Sequence, residues 1–146
     1  NLSVTTAWER LTGYFDALRN HNLEINSENI FVGAFTEEFG YDSMAELLKR
    51  DRKPHAVFFG NNLLARGGIR VIRDANIKIP SELKIAIFDD PAWADLHNPP
   101  ITAVRQPAYE MGKTAAEVLF QRLESRDLSK PQKIVLENFV MLRGST

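Results

Sequence analysis

Asp89 and Asp90 stand side by side at the end of a short apolar run, Ile85 to Phe88, with Pro91 and Trp93 just beyond. Two carboxylates at the carboxyl end of a strand can accept hydrogen bonds from ligand hydroxyls, bind Mg2+ or take a catalytic proton. The competing reading has one of them capping the following turn and the other facing water. Arg10 carries a rigid fork of donors suited to a carboxylate or paired hydroxyls, against the alternative of a solvated salt bridge. Asn61 and Asn62 follow a second apolar run, Ala56 to Gly60. Helix capping accounts for one of them and leaves the other for a ligand. Phe35 and Trp93 follow strand ends as well; a ring beside polar donors packs well on a sugar or nucleobase, although aromatics are ordinary core residues.

Other chemistries find less support. His21, His55 and His97 are far apart with no metal-binding spacing, so no metal is assigned. There is no GxGxxG, no GxxxxGK[ST] and no GxSxG, which disfavours dinucleotide, P-loop and acyl-transfer chemistry and implies no cofactor. Glu37 and Glu38 are adjacent and diverge around a helix, so no catalytic residue is assigned and the protein is not read as an enzyme. The 18 Lys plus Arg nearly balance 19 Asp plus Glu, for a net charge of -1, and form no basic stripe for nucleic acid. The absence of Cys excludes disulfides and thiolate zinc sites and is compatible with a reducing compartment. No stretch is apolar enough to span a membrane, and the start, NLSVTTAW, has neither an initiator Met nor a signal peptide, so the chain reads as a fragment or processed product.

The elements that must position these residues alternate. With 146 residues, 44% of them hydrophobic, the chain suits one compact domain. Trp8, Leu11, Tyr14, Phe15 and Leu18 predict a helix from about Ala7 to Asn20, capped by Thr5 or Thr6 in a box with Glu9. Gly13 within it points to close packing of another backbone. Ile30 to Phe35 reads as a strand, Thr36 opens a helix reaching Lys49 and Arg50, and Ala56 to Gly60 is the next strand. A helix from about Leu63 to Ala75 precedes the strand Lys84 to Phe88, and PAWADLHNPP reads as irregular chain. Ile101 to Val104 predicts a further short strand, Glu110 to Leu123 a helix, and Lys133 to Arg143 a hairpin or bent edge strand. Phe31, Phe58 and Phe59 are assigned to the core. The order implies an α/β fold, a mainly parallel sheet between helical layers in a three-layer sandwich, with ligands bound outside the carboxyl ends of its strands.

These residues also carry a resemblance. TTAWERLTGYFDAL at 5–18, VGAFTEEFGYDSMAELL at 32–48, PHAVFFGNNLLARGGIRVIRDANIKIPSELKIAIFDD at 54–90, PPITAVRQPAYEMGKTAAEVLFQRL at 99–123 and RGST at 143–146 together resemble the effector-binding region of the LacI/GalR family of bacterial transcription repressors, itself similar to periplasmic sugar-binding proteins. The resemblance implies a cytoplasmic sensor that holds a small molecule, often a sugar, in a cleft between two subdomains. A separate headpiece, absent from this chain, would read operator DNA. On this sequence it implies that Arg10 clamps effector hydroxyls, Asp89 accepts from them, Phe35 packs on the effector, and Asn61 and Thr6 contact it. It implies that residues 1–146 are mostly the C-terminal subdomain, with 107–130 a crossover belonging to the other subdomain, and that a homodimer forms through Tyr41, Arg66, Arg70 and Trp93. The family often has Asp at position 62 and Gly at position 87; Asn62 should alter local bonding, and Ile87 should narrow the cleft or displace its ligand. The rival readings are a phosphoacceptor receiver domain built on the acidic pair, a sugar-processing enzyme, and a periplasmic sugar receptor without a DNA-binding role.

Overall fold

A computed structural model describes residues 5–125 and 130–146. Its sheet has the order β1 (Ala56–Phe59), β2 (Lys84–Phe88), β3 (Thr102–Arg105) and β4 (Phe139–Met141). The first three strands are parallel, and β4 is antiparallel to β3. Around them lie α1 (Thr5–Asn20), α2 (Glu37–Leu48), α3 (Asn62–Asp74), α4 (Ala92–Leu96) and α5 (Ala108–Ser125).

The residues opening α2 and α3 cap them. The Thr36 hydroxyl accepts from the Phe39 N–H at 3.2 Å, and the Asn61 side chain accepts from the Leu64 N–H at 2.9 Å. Each satisfies a donor that a helix start leaves without an intrahelical partner. The two helices cross on glycines. A Cβ at Gly40 would strike the Leu64 carbonyl and one at Gly67 the Glu37 carbonyl, so only hydrogen lets the backbones approach this closely. Met44 and Leu47 of α2 join Ala65, Val71 and Ile72 of α3 over Phe59, Ile85, Ile87 and Ala103 of the strands. That alternation along the strands sends Phe58, Phe88 and Val104 to the opposite face.

The carboxyl-terminal residues lock the other end of the sheet. Ser145, fully buried, accepts from the Thr102 N–H at 2.8 Å and donates to the Ile85 carbonyl at 2.7 Å. Its own carbonyl accepts from the Ile85 N–H at 2.8 Å. One serine thus joins β2 to β3 below the first bridge of their ladder.

Several expectations are corrected. Residues 30–34 belong to no strand among the described residues, where Ile30 and β1 line a common cavity. Gly13 has nothing near its notional Cβ, and the close-approach glycines are those between α2 and α3. Thr5 and Thr6 lie inside the first turn of α1 and so do not precede it as caps. Phe58 is not core; it is 43% exposed on the thinly covered face. Residues 92–96 form a helical turn over the buried Ala94, so the prolines delimit α4 and do not abolish it. Ile87 is fully buried in the core and points away from the Arg10 side of the sheet, so it does not narrow a cleft there. Of the two readings of the closing segment, the edge strand is the one found: β4 ends the sheet order, and no hairpin forms among the described residues.

Candidate functional site

The carboxyl ends of β1, β2 and β3 meet beside the first two turns of α1. Asp89, directly after β2, has φ 75°. The left-handed region is uncommon for a residue with a Cβ, costs on the order of 1 kcal/mol or more, and is tolerated best by Asp and Asn. The turn points its carboxylate toward the residue that follows β3: Gln106 Nε2 donates to Asp89 Oδ1 at 2.6 Å.

Arg10 comes to this edge from α1. Its Nη1 donates to the Gly60 carbonyl at 2.6 Å, at the end of β1. Its guanidinium carbon sits 3.8 Å from the Phe88 ring centroid, stacking on the last residue of β2. Burial pulls the Arg10 pKa below its ordinary value, and the negative charge of Asp89 opposes that pull. A guanidinium remains charged throughout the physiological range, so the site pairs a fixed, partly desolvated cation with a carboxylate.

The other expected residues fall around this pair. Thr6, Arg10, Phe88 and Gln106 line an open pocket of about 530 Å³. Arg10 and Phe35 line a second cavity of about 280 Å³, so Arg10 is a wall common to both. Asn61 follows Gly60 directly, but its side-chain oxygen is used in capping α3, which leaves its amide NH2 as the group available at the edge. Arg10, Phe35, Thr6 and Asp89 are thus gathered at one end of the sheet, with Asn61 adjoining through the Gly60 end of β1.

Asp90 is a different case. Its side chain is only 3% exposed and takes hydrogen bonds from Arg105 Nε and Nη2 at 2.8 and 2.6 Å and from Arg143 Nη1 and Nη2 at 2.7 and 3.0 Å. Those bonds, led by the ones from Arg143, hold its pKa below the usual carboxylate value. Neither a water-facing nor a turn-capping role describes it: Asp90 ties β2 to β3 and to the segment after β4. Among the described residues no group of three or more His, Asp or Glu side chains is arranged to hold a metal ion.

Two residues of the edge, Phe88 and Gln106, had no functional reading in the sequence. Phe88 looked like the last apolar residue of a strand, and Gln106 like a strand terminator before Pro107. The available signal was register, since parallel β2 and β3 put the residues after Phe88 and Arg105 at one sheet edge.

The positions expected at a dimer contact divide. Arg66 pairs with Glu37 at 3.0 Å, and the Arg70 guanidinium lies 5.9 Å from the Tyr41 ring centroid, on the α2 and α3 pair. Trp93 is packed against the hydrophobic core.

Residues 3–146 match the family described as periplasmic binding protein-like domain. The chain is 33% identical over 144 residues to the ribose operon repressor of Escherichia coli (strain K12), a match covering 99% of this chain and 43% of that protein. It is 31% identical over 144 residues to the HTH-type transcriptional repressor PurR of Mannheimia succiniciproducens, with the same 99% and 43% coverage. Among solved structures, a complex of the transcriptional regulator CelR with cellobiose superposes with a TM-score of 0.86 at 33% identity, covering 94% of this chain and 42% of that one. The chain spans less than half the length of these relatives.

Proposed function

Because the chain belongs to the periplasmic binding protein-like domain family, in the LacI/GalR group of transcription repressors, we propose that it is the effector-binding and dimerisation part of a cytoplasmic DNA-binding regulator, and that it binds a small polyhydroxylated molecule, a sugar or sugar derivative, at the Arg10 and Asp89 edge. The observation that carries this reading is the opposed pair itself. Arg10 is fixed by Phe88 and the Gly60 carbonyl, and Asp89 is turned by a left-handed backbone and steadied through one oxygen by Gln106. Donors facing an acceptor on prepositioned side chains suit vicinal hydroxyls, because each hydroxyl can both give and take a bond. Phe35 supplies the apolar surface for a sugar face, and Thr6 and the Asn61 amide add polar contacts at the rim.

Binding would act by favouring one arrangement of the domain over another, since a ligand shifts an equilibrium only by its differential affinity. The shift would pass to a second copy through the α2 and α3 surface carrying Tyr41, Arg66 and Arg70, together with the partly buried Trp93. Operator DNA would be contacted through a headpiece outside this chain. The uncovered apolar side chains of α5, Tyr109, Leu119, Phe120 and Leu123, support assigning 107–130 to another subdomain; residues 126–129 of that segment lie outside the described residues. No helix is long and apolar enough to cross a membrane among the described residues. A phosphoacceptor reading loses its second acid, because Asp90 is held by two guanidinium groups.

The test uses the full-length regulator, its operator and a panel of mono- and disaccharides, sugar phosphates and purines. A member of the panel should change operator occupancy for the wild type and fail to do so for Asp89→Ala, with folding unaltered. An Asp89→Ala regulator that responds at the same concentration as the wild type would refute the assigned site.

A further inference from the structure

We propose that the pocket beside Arg10 selects uncharged polyhydroxyl ligands and rejects those carrying a phosphate or a carboxylate, and that Glu9 is a residue that sets this selectivity. The inference rests on the reading of the Arg10 and Asp89 edge as a ligand site and adds to it the charge of the ligand.

Helical spacing brings Glu9 to the pocket. Thr6, Glu9, Arg10 and Gly13 of α1 are related by intervals of three and four residues, which puts them on one side of the helix, and all four line the open pocket of about 530 Å³. A Cβ at Gly13 would meet nothing within 4 Å, so the space beside the Glu9 carboxylate stays open. Glu9 is exposed, and among the described residues no ion pair neutralises it.

The cations of this edge are already committed. Among the described residues Arg10 is the one cationic side chain lining either cavity. Its Nη1 donates to the Gly60 carbonyl, its face is stacked on Phe88, and the negative charge of Asp89 acts on it. A guanidinium holds phosphate or carboxylate best through two parallel bonds from its fork, and one arm of this fork is in use. Arg105, at the end of β3, and Arg143, just after β4, both bind Asp90. One positive charge at the pocket thus stands against two negative ones, Asp89 and Glu9.

The acceptor side leads to the same ligand. Gln106 takes Asp89 Oδ1, which leaves Oδ2 to accept from a ligand. A hydroxyl has a proton to give to that oxygen. A carboxylate has none, and a phosphate ester near pH 7 carries close to two negative charges. Like unit charges about 6 Å apart, at an effective dielectric constant of about 20, weaken binding by about 100-fold. An uncharged sugar bears no such penalty.

The test is calorimetric titration of the full-length regulator with matched sets, each sugar of a panel beside its phosphate ester and its uronic acid. The sugar that binds should do so at least about 100-fold more tightly than its two anionic counterparts at low salt. Raising the salt from about 0.01 to about 1 M cuts the Debye length from about 30 to about 3 Å and should narrow that ratio severalfold. Glu9→Gln, which removes one exposed charge and keeps the shape, should narrow it by about threefold. A phosphate ester or uronic acid that binds as tightly as its parent sugar would overturn the proposal. A preference that salt does not narrow would come from shape and would overturn it too, and one that salt narrows but Glu9→Gln does not would overturn the role of Glu9. Asp89→Ala separates the two levels of failure. Loss of a tightly bound anionic ligand in that variant overturns the charge selection alone, whereas wild-type binding in that variant, or a panel without a binding member, removes the ligand site and the selection together.

Discussion

Replacing Asp90 with Ala should be among the most destabilising single changes at the sheet's carboxyl edge, and the loss should run mainly through Arg143. The Asp90 side chain is 3% exposed, Arg143 12% and Arg105 50%. Without Asp90, the Arg143 guanidinium keeps the Ile101 carbonyl at 2.7 Å and Asp95 at 3.5 Å, and Asp95 is largely in water. Breaking a buried pair costs about 3–5 kcal/mol, and the retained carbonyl bond places Asp90→Ala near the lower end, about 3 kcal/mol. Arg105 is half solvated, so its share should be about 0–1 kcal/mol. Urea denaturation of single and double variants would separate the two by double-mutant cycles. The coupling of Asp90 to Arg143 should be about 2 kcal/mol or more and should exceed its coupling to Arg105. The pH dependence has a fixed sign. Hydrogen bonds from Arg143, ahead of those from Arg105, put the folded pKa of Asp90 below its ordinary value. The contribution is therefore complete above the unfolded carboxyl pKa, about 4, and disappears as the pH falls through the lowered folded value. Wild type and Asp90→Asn should converge in stability on acidification. An Asp90→Ala cost below about 1 kcal/mol, or an Arg105 coupling equal to that of Arg143, would refute this reasoning.

Ser145→Ala should cost about 1–3 kcal/mol in denaturant melts, since it strands the buried Thr102 N–H and takes a donor from the Ile85 carbonyl. A cost within error of zero would show that the end of the sheet relaxes around the loss. Gly67→Ala and Gly13→Ala should move Tm in opposite directions: the first forces a Cβ into the Glu37 carbonyl and should lose about 1–3 kcal/mol or more, while the second meets open space and should gain about 0.5–1 kcal/mol of helix propensity. Equal shifts from the two would contradict the glycine crossing of α2 and α3.

What could be read from the chain followed from how local each signal is. The strand Lys84–Phe88 was bounded correctly because an apolar run between turn residues has one interpretation, and the Thr36 cap because its partner lies three residues away. The α3 start was displaced by a single residue for the same reason. The strand reading of residues 30–35 was met only in part, since Ile30 is extended but no strand is assigned there among the described residues. Gly13 misled because a glycine reports a permitted approach, while the approach itself depends on the neighbouring helix. At the site, Arg10, Phe35, Thr6 and Asp89 were named before any geometry. The division of labour between Asp89 and Asp90 was not legible, since it depends on Arg105 and on Arg143, the latter 53 residues away, and on the left-handed turn that separates two chemically identical neighbours.

The most direct measurement is calorimetric titration of the full-length regulator with the ligand that alters its operator occupancy, for wild type, Arg10→Ala and Asp89→Ala. Truncating one partner of a charge-assisted hydrogen bond costs about 2 kcal/mol or more, so each variant should bind at least about 30-fold more weakly while remaining folded. Saturable binding with unchanged affinity in both variants would contradict the placement of the ligand between Arg10 and Asp89.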